Sequence, residues 1–108
     1  MKTLTEAVPE FALEVAGALS QVGEERVSAL VSKSAIERCT FDSSVEATYV
    51  YLSQVVASSP GRPPVARTIA FASPHWFNVD ITHEGGIFGI EILGRADVVH
   101  MLRGARAL

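Results

Sequence analysis

The sequence predicts a single α+β domain over residues 1–108, built as an N-terminal helical hairpin (1–34), an antiparallel β-meander of four or five strands (35–93) and a C-terminal helix (94–108). Three observations predict it. Apolar residues recur at helical spacing through Val31, the period changes to two from Ala35, and a helical stripe returns after Gly94. A chain of 108 residues with 48% hydrophobic content can bury one core without metal or disulfide support.

Phe11, Val15, Ala18, Leu19 and Val22 line one helix face, while Glu10, Glu14 and Gln21 fall largely elsewhere. Thr5 or Val8 starts this helix, Pro9 fits its first turn, and Gly23 suits a left-handed stop. A second, shorter helix follows. Glu24 and Glu25 sit at its positive end, Val27, Leu30 and Val31 form its stripe, and Lys33 lies near its negative end. The two make an αα-hairpin. The second helix carries as many acids as bases, so a packing role outweighs a DNA-reading one.

AIERCTFD (35–42) alternates Glu37, Cys39 and Phe41 against Ile36, Arg38 and Thr40, which predicts a strand with a buried Cys39. DSSVE is turn chemistry and ATYVYL resumes the strand, so the pair reads as a hairpin. SQVVASSPGRPP (53–64) holds three prolines and predicts an exposed loop in its later half. VARTIAFA (65–72) is a third strand, with Val65, Arg67, Ile69 and Phe71 on one face. Ala66, Thr68, Ala70 and Ala72 form a small-residue face suited to a closely packed helix.

The stretch FNVDITHEGGIFGIEIL (77–93) predicts a second hairpin whose register can be argued. Pairing Thr82 with Ile87 across HEGG sets Ile81 against Phe88, Val79 against Ile90 and Phe77 against Ile92. A three-residue loop pairing Thr82 with Gly86 opposes Asp80 with Phe88 instead, so the first register is preferred. Asn78, Asp80, Thr82, Gly89 and Glu91 then share the second face. In the closing GRADVVHMLRGARAL, Val98, Met101 and Leu102 make a helical stripe ending near Gly104. The helices are expected to cover one sheet face, or parts of both, leaving any surplus apolar area for a symmetric dimer.

FDSSVEATYVYLS (41–53), VARTIAF (65–71) and NVDITHEGGIFGIEIL (78–93) together resemble the bacterial and archaeal family catalogued as domain of unknown function 2283. The likeness covers about half of the chain, with Gly89-Ile90-Glu91-Ile92-Leu93 its most specific part. Glu46 stands where the family more often has Asp, Phe41 replaces the usual Tyr, and the loop holding SSPGRPP is longer. The resemblance implies a small antiparallel sheet packed on helical material, with no established activity and no known cofactor. The resemblance also implies an antitoxin-like role toward the product of a neighbouring gene. It lends no catalytic residues.

Function classes narrow from there. A formal net charge of −3 with scattered basic residues disfavours nucleic acid, the alternative being a small basic face near Arg62, Arg67, Arg103 and Arg106. No apolar run spans a bilayer, and a lone cysteine fits a reducing compartment, so a cytoplasmic protein is expected. Asp80 and Glu91 on adjacent strands are the candidate ligand-binding or acid–base pair, with Arg67 or Arg38 as a cationic neighbour. The structural reading, a solvated or ion-paired face, is favoured. His75, Asp80 and His83 lack metal-ligand spacing, and no nucleophile elbow or phosphate loop occurs, so no catalytic residue, metal or cofactor is assigned. Trp76 and Phe77 are candidates for an interaction surface, set against a role as core at a strand start. The leading expectation is a noncatalytic, homodimeric interaction protein. A small enzyme or ligand-binding domain using Asp80 and Glu91 is the alternative.

Overall fold

The computed structural model describes residues 2–53 and 65–106. The loop expected over 53–64 lies, apart from Ser53, outside the described residues. The element order is α1 (Leu4–Ala7), α2 (Pro9–Gln21), α3 (Glu25–Val31), β1 (Ala35–Asp42), β2 (Ala47–Ser53), β3 (Arg67–Phe71), β4 (Phe77–Ile81), β5 (Ile87–Leu93) and α4 (Ala96–Arg106). This is an α+β fold with N-terminal helices, an antiparallel sheet and a C-terminal helix.

The first helix comes in two pieces: the expected start at Val8 caps α2, and a separate turn, α1, precedes it from Leu4. Thr3 caps α1 by accepting from Glu6 N at 3.2 Å while its own N–H donates to the Glu6 carboxylate at 2.9 Å, a reciprocal capping box. Val8 then leaves the helical region at φ −140° and Pro9 restarts the chain as the first residue of α2, where its missing N–H costs nothing. Gly23, at φ +83°, turns the chain into α3, and the Ser28 hydroxyl donates to the Ala16 carbonyl at 2.7 Å, tying the hairpin. At the other end, Gly104 does not stop α4, which runs to Arg106. One helical glycine costs only about 1 kcal/mol relative to alanine, which is too little to end a packed helix.

All strand pairings are antiparallel, in the order β1-β2-β5-β4-β3. The β1–β2 hairpin and the β3-β4-β5 meander are thus separate units. The chain crosses to the far edge after β2, and β5 closes the gap beside β2. That order puts the predicted 77–93 hairpin in the middle of the sheet.

Its register matches the expectation over most of its length and departs at one residue. Phe77 faces Ile92 and Val79 faces Ile90, but Ile81 faces Ile87, leaving Phe88 as the extra residue of a bulge. Near the tip, Thr82 N donates to Gly86 O at 2.8 Å, so the shorter loop rejected on sequence grounds is present and the bulge restores the register behind it. The physical gain is double. Ile87 enters the core at 1% exposure, and Phe88 swings to the opposite face against Tyr51.

One face of the sheet carries the core. Val50, Leu52, Phe77, Val79, Ile81, Ile87, Ile90 and Ile92 join Phe11, Val15, Leu19, Val31, Val98 and Leu102 in one buried cluster. Phe11 meets Phe77 edge to face at 5.5 Å between ring centroids. Each such side chain contributes roughly 1.5–3 kcal/mol when fully buried. The helices all contribute to this side. Thr68 and Ala70, expected beneath a helix, are instead exposed, because Ile69 and Phe71 on the other side of β3 take the core. Among the described residues nothing covers the second face.

Candidate functional site: the open face of the sheet

Strand alternation and the pairing register determine what the second face presents. Across the sheet from β1 to β3, one row reads Arg38, Tyr51, Gly89, Asp80 and Thr68, and the next reads Thr40, Tyr49, Glu91, Asn78 and Ala70. Period-two geometry forces these residues together as surely as it buries their neighbours. Phe88, displaced by the bulge, adds a third aromatic ring.

Gly89 organises the centre. A Cβ built there would lie 2.7 Å from the Tyr49 ring carbon and hydroxyl, so only glycine lets the Tyr49 ring lie flat over β5. Lying there, the phenol crosses one strand and donates to Asp80 Oδ2 at 2.5 Å, and the Thr68 hydroxyl donates to Asp80 Oδ1, also at 2.5 Å. Both oxygens of the carboxylate are engaged. Asn78 Nδ2 likewise donates to Glu91 Oε1 at 3.0 Å, directly across the β4–β5 pair. Burial, and then the hydrogen bond to Asp80, pushes the Tyr49 phenol above its ordinary range, which keeps it a donor at neutral pH. Tyr49 and Tyr51 lie 4.6 Å apart, Tyr51 and Phe88 5.8 Å, and the Arg38 guanidinium stacks 3.9 Å over Tyr51.

The residues singled out in the sequence separate into different environments. Asp80 and Glu91 do share a face. Arg67 does not join them, because it pairs with Ile81 and so points to the helical side, where it grips both oxygens of Glu24 at 2.5 and 2.9 Å. Arg38 is on the right face but at the far edge. Trp76 and Phe77 also part: Phe77 is fully buried in the core and offers no surface, whereas Trp76 is 48% exposed in the β3–β4 turn. A shared basic face is not assembled either, since Arg67 lies on β3 and Arg103 stacks over Phe41 on β1, at opposite edges of the sheet. The Arg62 and Arg106 side chains lie outside the described residues.

Tyr49, Thr68 and Phe88 were not assigned to this face from the sequence, and Gly89 was placed on it without a role. Their signal was the bulge and the strand order, which place β2 against β5.

A second polar cluster lies at one end of the sheet. Arg95, at φ +45°, spends its guanidinium on Glu14 at 2.9 and 3.0 Å, on Asp97 at 3.2 Å from each of two nitrogens, and on the His75 carbonyl at 2.7 Å. His75 Nδ1 meets Glu14 Oε2 at 2.8 Å. The Arg95 guanidinium hydrogen-bonded to Glu14 holds that carboxyl below its ordinary range, with His75 adding to the effect against partial burial. Strained backbone at Trp76 (φ +55°) and Arg95 is held by this network and by the hydrogen bond from Leu93 N to Trp76 O. The cluster clamps α2 and α4 to the sheet.

Among the described residues, no group of three or more His, Cys, Asp or Glu is placed to hold a metal ion, and no helix is long and apolar enough to cross a membrane. The chain matches no family model, no curated protein and no solved structure.

Proposed function

We propose that the protein is a noncatalytic interaction domain that pairs with a second copy of itself through the open face of the sheet. The observation that carries this reading is a rigid aromatic surface, Tyr49, Tyr51 and Phe88, left uncovered by the helices and bearing opposite charges toward opposite edges. Flat sheet faces with ordered aromatics give large contact area at low entropic cost.

Charge placement favours a like partner. A two-fold axis parallel to β5 sets β1 of one copy over β3 of the other, so Arg38 lies above the Asp80–Thr68 pair of the second copy and the reverse contact repeats, while Glu91 on β5 meets its own copy near the axis, a like-charge contact that weakens the pairing and is eased by the Asn78 hydrogen bond. Nucleic acid would meet Asp80 and Glu91 instead, which repel phosphate. Asp80 and Glu91 here act as acceptors that pin Tyr49, Thr68 and Asn78, so their chemistry is that of a scaffold. The face projects roughly 500 Å², from strands about 4.8 Å apart and residues about 3.4 Å apart. That is below the ~800 Å² per partner of a standard interface, so the dimer is concentration-dependent. A lone buried Cys39 suits a reducing, cytoplasmic setting.

Sedimentation equilibrium of the whole chain from about 5 to 500 µM tests the proposal, a range in which an interface of this size titrates. The expected result is a mass that doubles with concentration, with Arg38→Glu leaving the circular dichroism unchanged and weakening association about tenfold. A single monomer mass at every concentration overturns it. The antitoxin-like reading uses the same face toward another protein. It would displace the homodimer if the chain is monomeric alone yet co-purifies one-to-one with the product of an adjacent gene.

A further inference from the structure

On the helical side of the sheet, away from the open face, α4 and the β1–β2 hairpin leave a cleft of about 400 Å³ between them. Its size falls within the range of small-molecule sites. Ala96, Val99 and Arg103, one stripe of α4, form one wall, and Phe41, Asp42 and Glu46 belong to the other. Ala47 and Thr48 complete the floor.

Thr48 is the most informative of these residues. It is only 3% exposed and pairs with Phe41 and Ile92 on the core side of β2. Thr48 is one of the residues lining the cleft. It places one polar side chain on the floor of an otherwise largely apolar recess.

Charged side chains of both signs line the cleft. Arg103 stacks 4.2 Å over the Phe41 ring and forms no ion pair among the described residues, although Asp42 and Glu46 line the same small space. Arg95 also lines the cleft, but Glu14, Asp97 and the His75 carbonyl take its guanidinium hydrogen bonds, so it contributes only its stem and backbone. One cation on the α4 wall thus shares the cleft with two exposed acids on the hairpin wall, of which Asp42 already accepts from the Ser44 N–H and hydroxyl through Oδ1 while Glu46 is the less engaged. A ligand carrying both signs bridges that arrangement. Glu46 (φ +50°) and Arg95 (φ +45°) hold left-handed backbone at its rim, with Gly94 N bonded to Glu46 O at 2.8 Å, which fixes the two walls relative to each other.

We infer that this cleft binds a small zwitterion with an apolar or aromatic side chain, of the size of a free amino acid. The carboxylate meets Arg103, the ammonium meets Glu46 and Asp42, and the side chain fills the recess beside Val99 and Phe41. The remaining polar contact is the Thr48 hydroxyl.

Two-dimensional amide NMR of the full chain, titrated with L-phenylalanine and L-leucine up to about 10 mM, tests this at the weak affinities typical of small ligands. The expected result is saturable shifts confined to residues around Ala47, Gly94 and Val99. N-acetyl-L-phenylalanine and L-phenylalaninamide, each lacking one charge, bind about tenfold more weakly, as does Arg103→Ala. Val99→Trp, which fills the recess, abolishes the shifts while the remaining spectrum stays dispersed. The inference is overturned if neither amino acid gives saturable shifts, if the shifts map to the open face, or if the two blocked derivatives bind as well as the parent.

Discussion

Val79 and Asp80 are adjacent in β4, yet Val79 is fully buried against the helices while Asp80 stands on the uncovered face, bonded to Tyr49 and Thr68. The same contrast runs across the whole sheet. The covered face is held by apolar area with no directional demand, and its residues are interchangeable in kind. The open face is held by geometry: a glycine under a tyrosine, a bulge that redirects Phe88, and carboxylates that accept from neighbours across the strands. A substitution on the first face should therefore change stability, and one on the second should change shape or association.

The largest expected effect breaks that division outright. Val79→Asp places a carboxylate in the dry core with no partner, and should cost more than about 4 kcal/mol, enough to unfold most domains of this size. Asp80→Val, one residue along, leaves two hydroxyls to be satisfied by water on a solvated face, and should cost about 1–2 kcal/mol. Urea denaturation of the two variants measures the difference directly. Equal losses would mean that the open face is as buried as the core, and that something covers it.

The next effect sharpens the comparison within the open face. Gly89→Val puts a branched side chain where the Tyr49 ring lies, so the ring must lift and its hydrogen bond to Asp80 is lost. A cost of about 2–3 kcal/mol follows from the displaced ring and the broken charge-assisted bond. Tyr49→Ala in the Gly89→Val background should recover part of it, because the clash is gone. Denaturation midpoints of the single and double variants check this, and additive losses would place the strain elsewhere.

How much of this was legible in the sequence follows the same line. The core face was readable because period-two and period-three-to-four spacing are imposed by burial, and Phe77, Val79, Ile90 and Ile92 pair as that spacing implies. The strand order was not, since nothing in β2 states that its neighbour is β5 and not β3. Consequently the partner of Asp80 could not be foreseen: Tyr49 lies 31 residues away in sequence and reaches it only because Gly89 intervenes. Arg67 was assigned beside the acids as a cation on a neighbouring strand. Strand parity sends it to the other side, to Glu24. The bulge at Phe88 was invisible for a related reason, since each register was weighed as a whole, whereas one inserted residue joins the tip of the shorter loop to the body of the longer one.

The smallest of these effects concerns the clamp that holds the two layers, and it depends on pH. The Arg95 guanidinium keeps the Glu14 carboxyl below its ordinary value of 4.5, and His75 reinforces this. A carboxyl whose folded value is depressed gives stability that is fully present above its unfolded value and is lost as pH falls through the folded one. The contribution of Glu14 should thus be constant at neutral pH and should fade below about pH 4.5. Glu14→Gln keeps the shape but removes the charge, and should cost about 1–2 kcal/mol at pH 7 for a charge-assisted contact that remains partly solvated. At pH 3 the variant and the parent should converge, because the parent's carboxyl is then increasingly protonated. Urea unfolding at the two pH values reads the difference. A gap that persists undiminished at pH 3 would show that α2 and α4 are held to the sheet by packing alone, with Phe11 against Phe77 doing the work assigned to the ion pair.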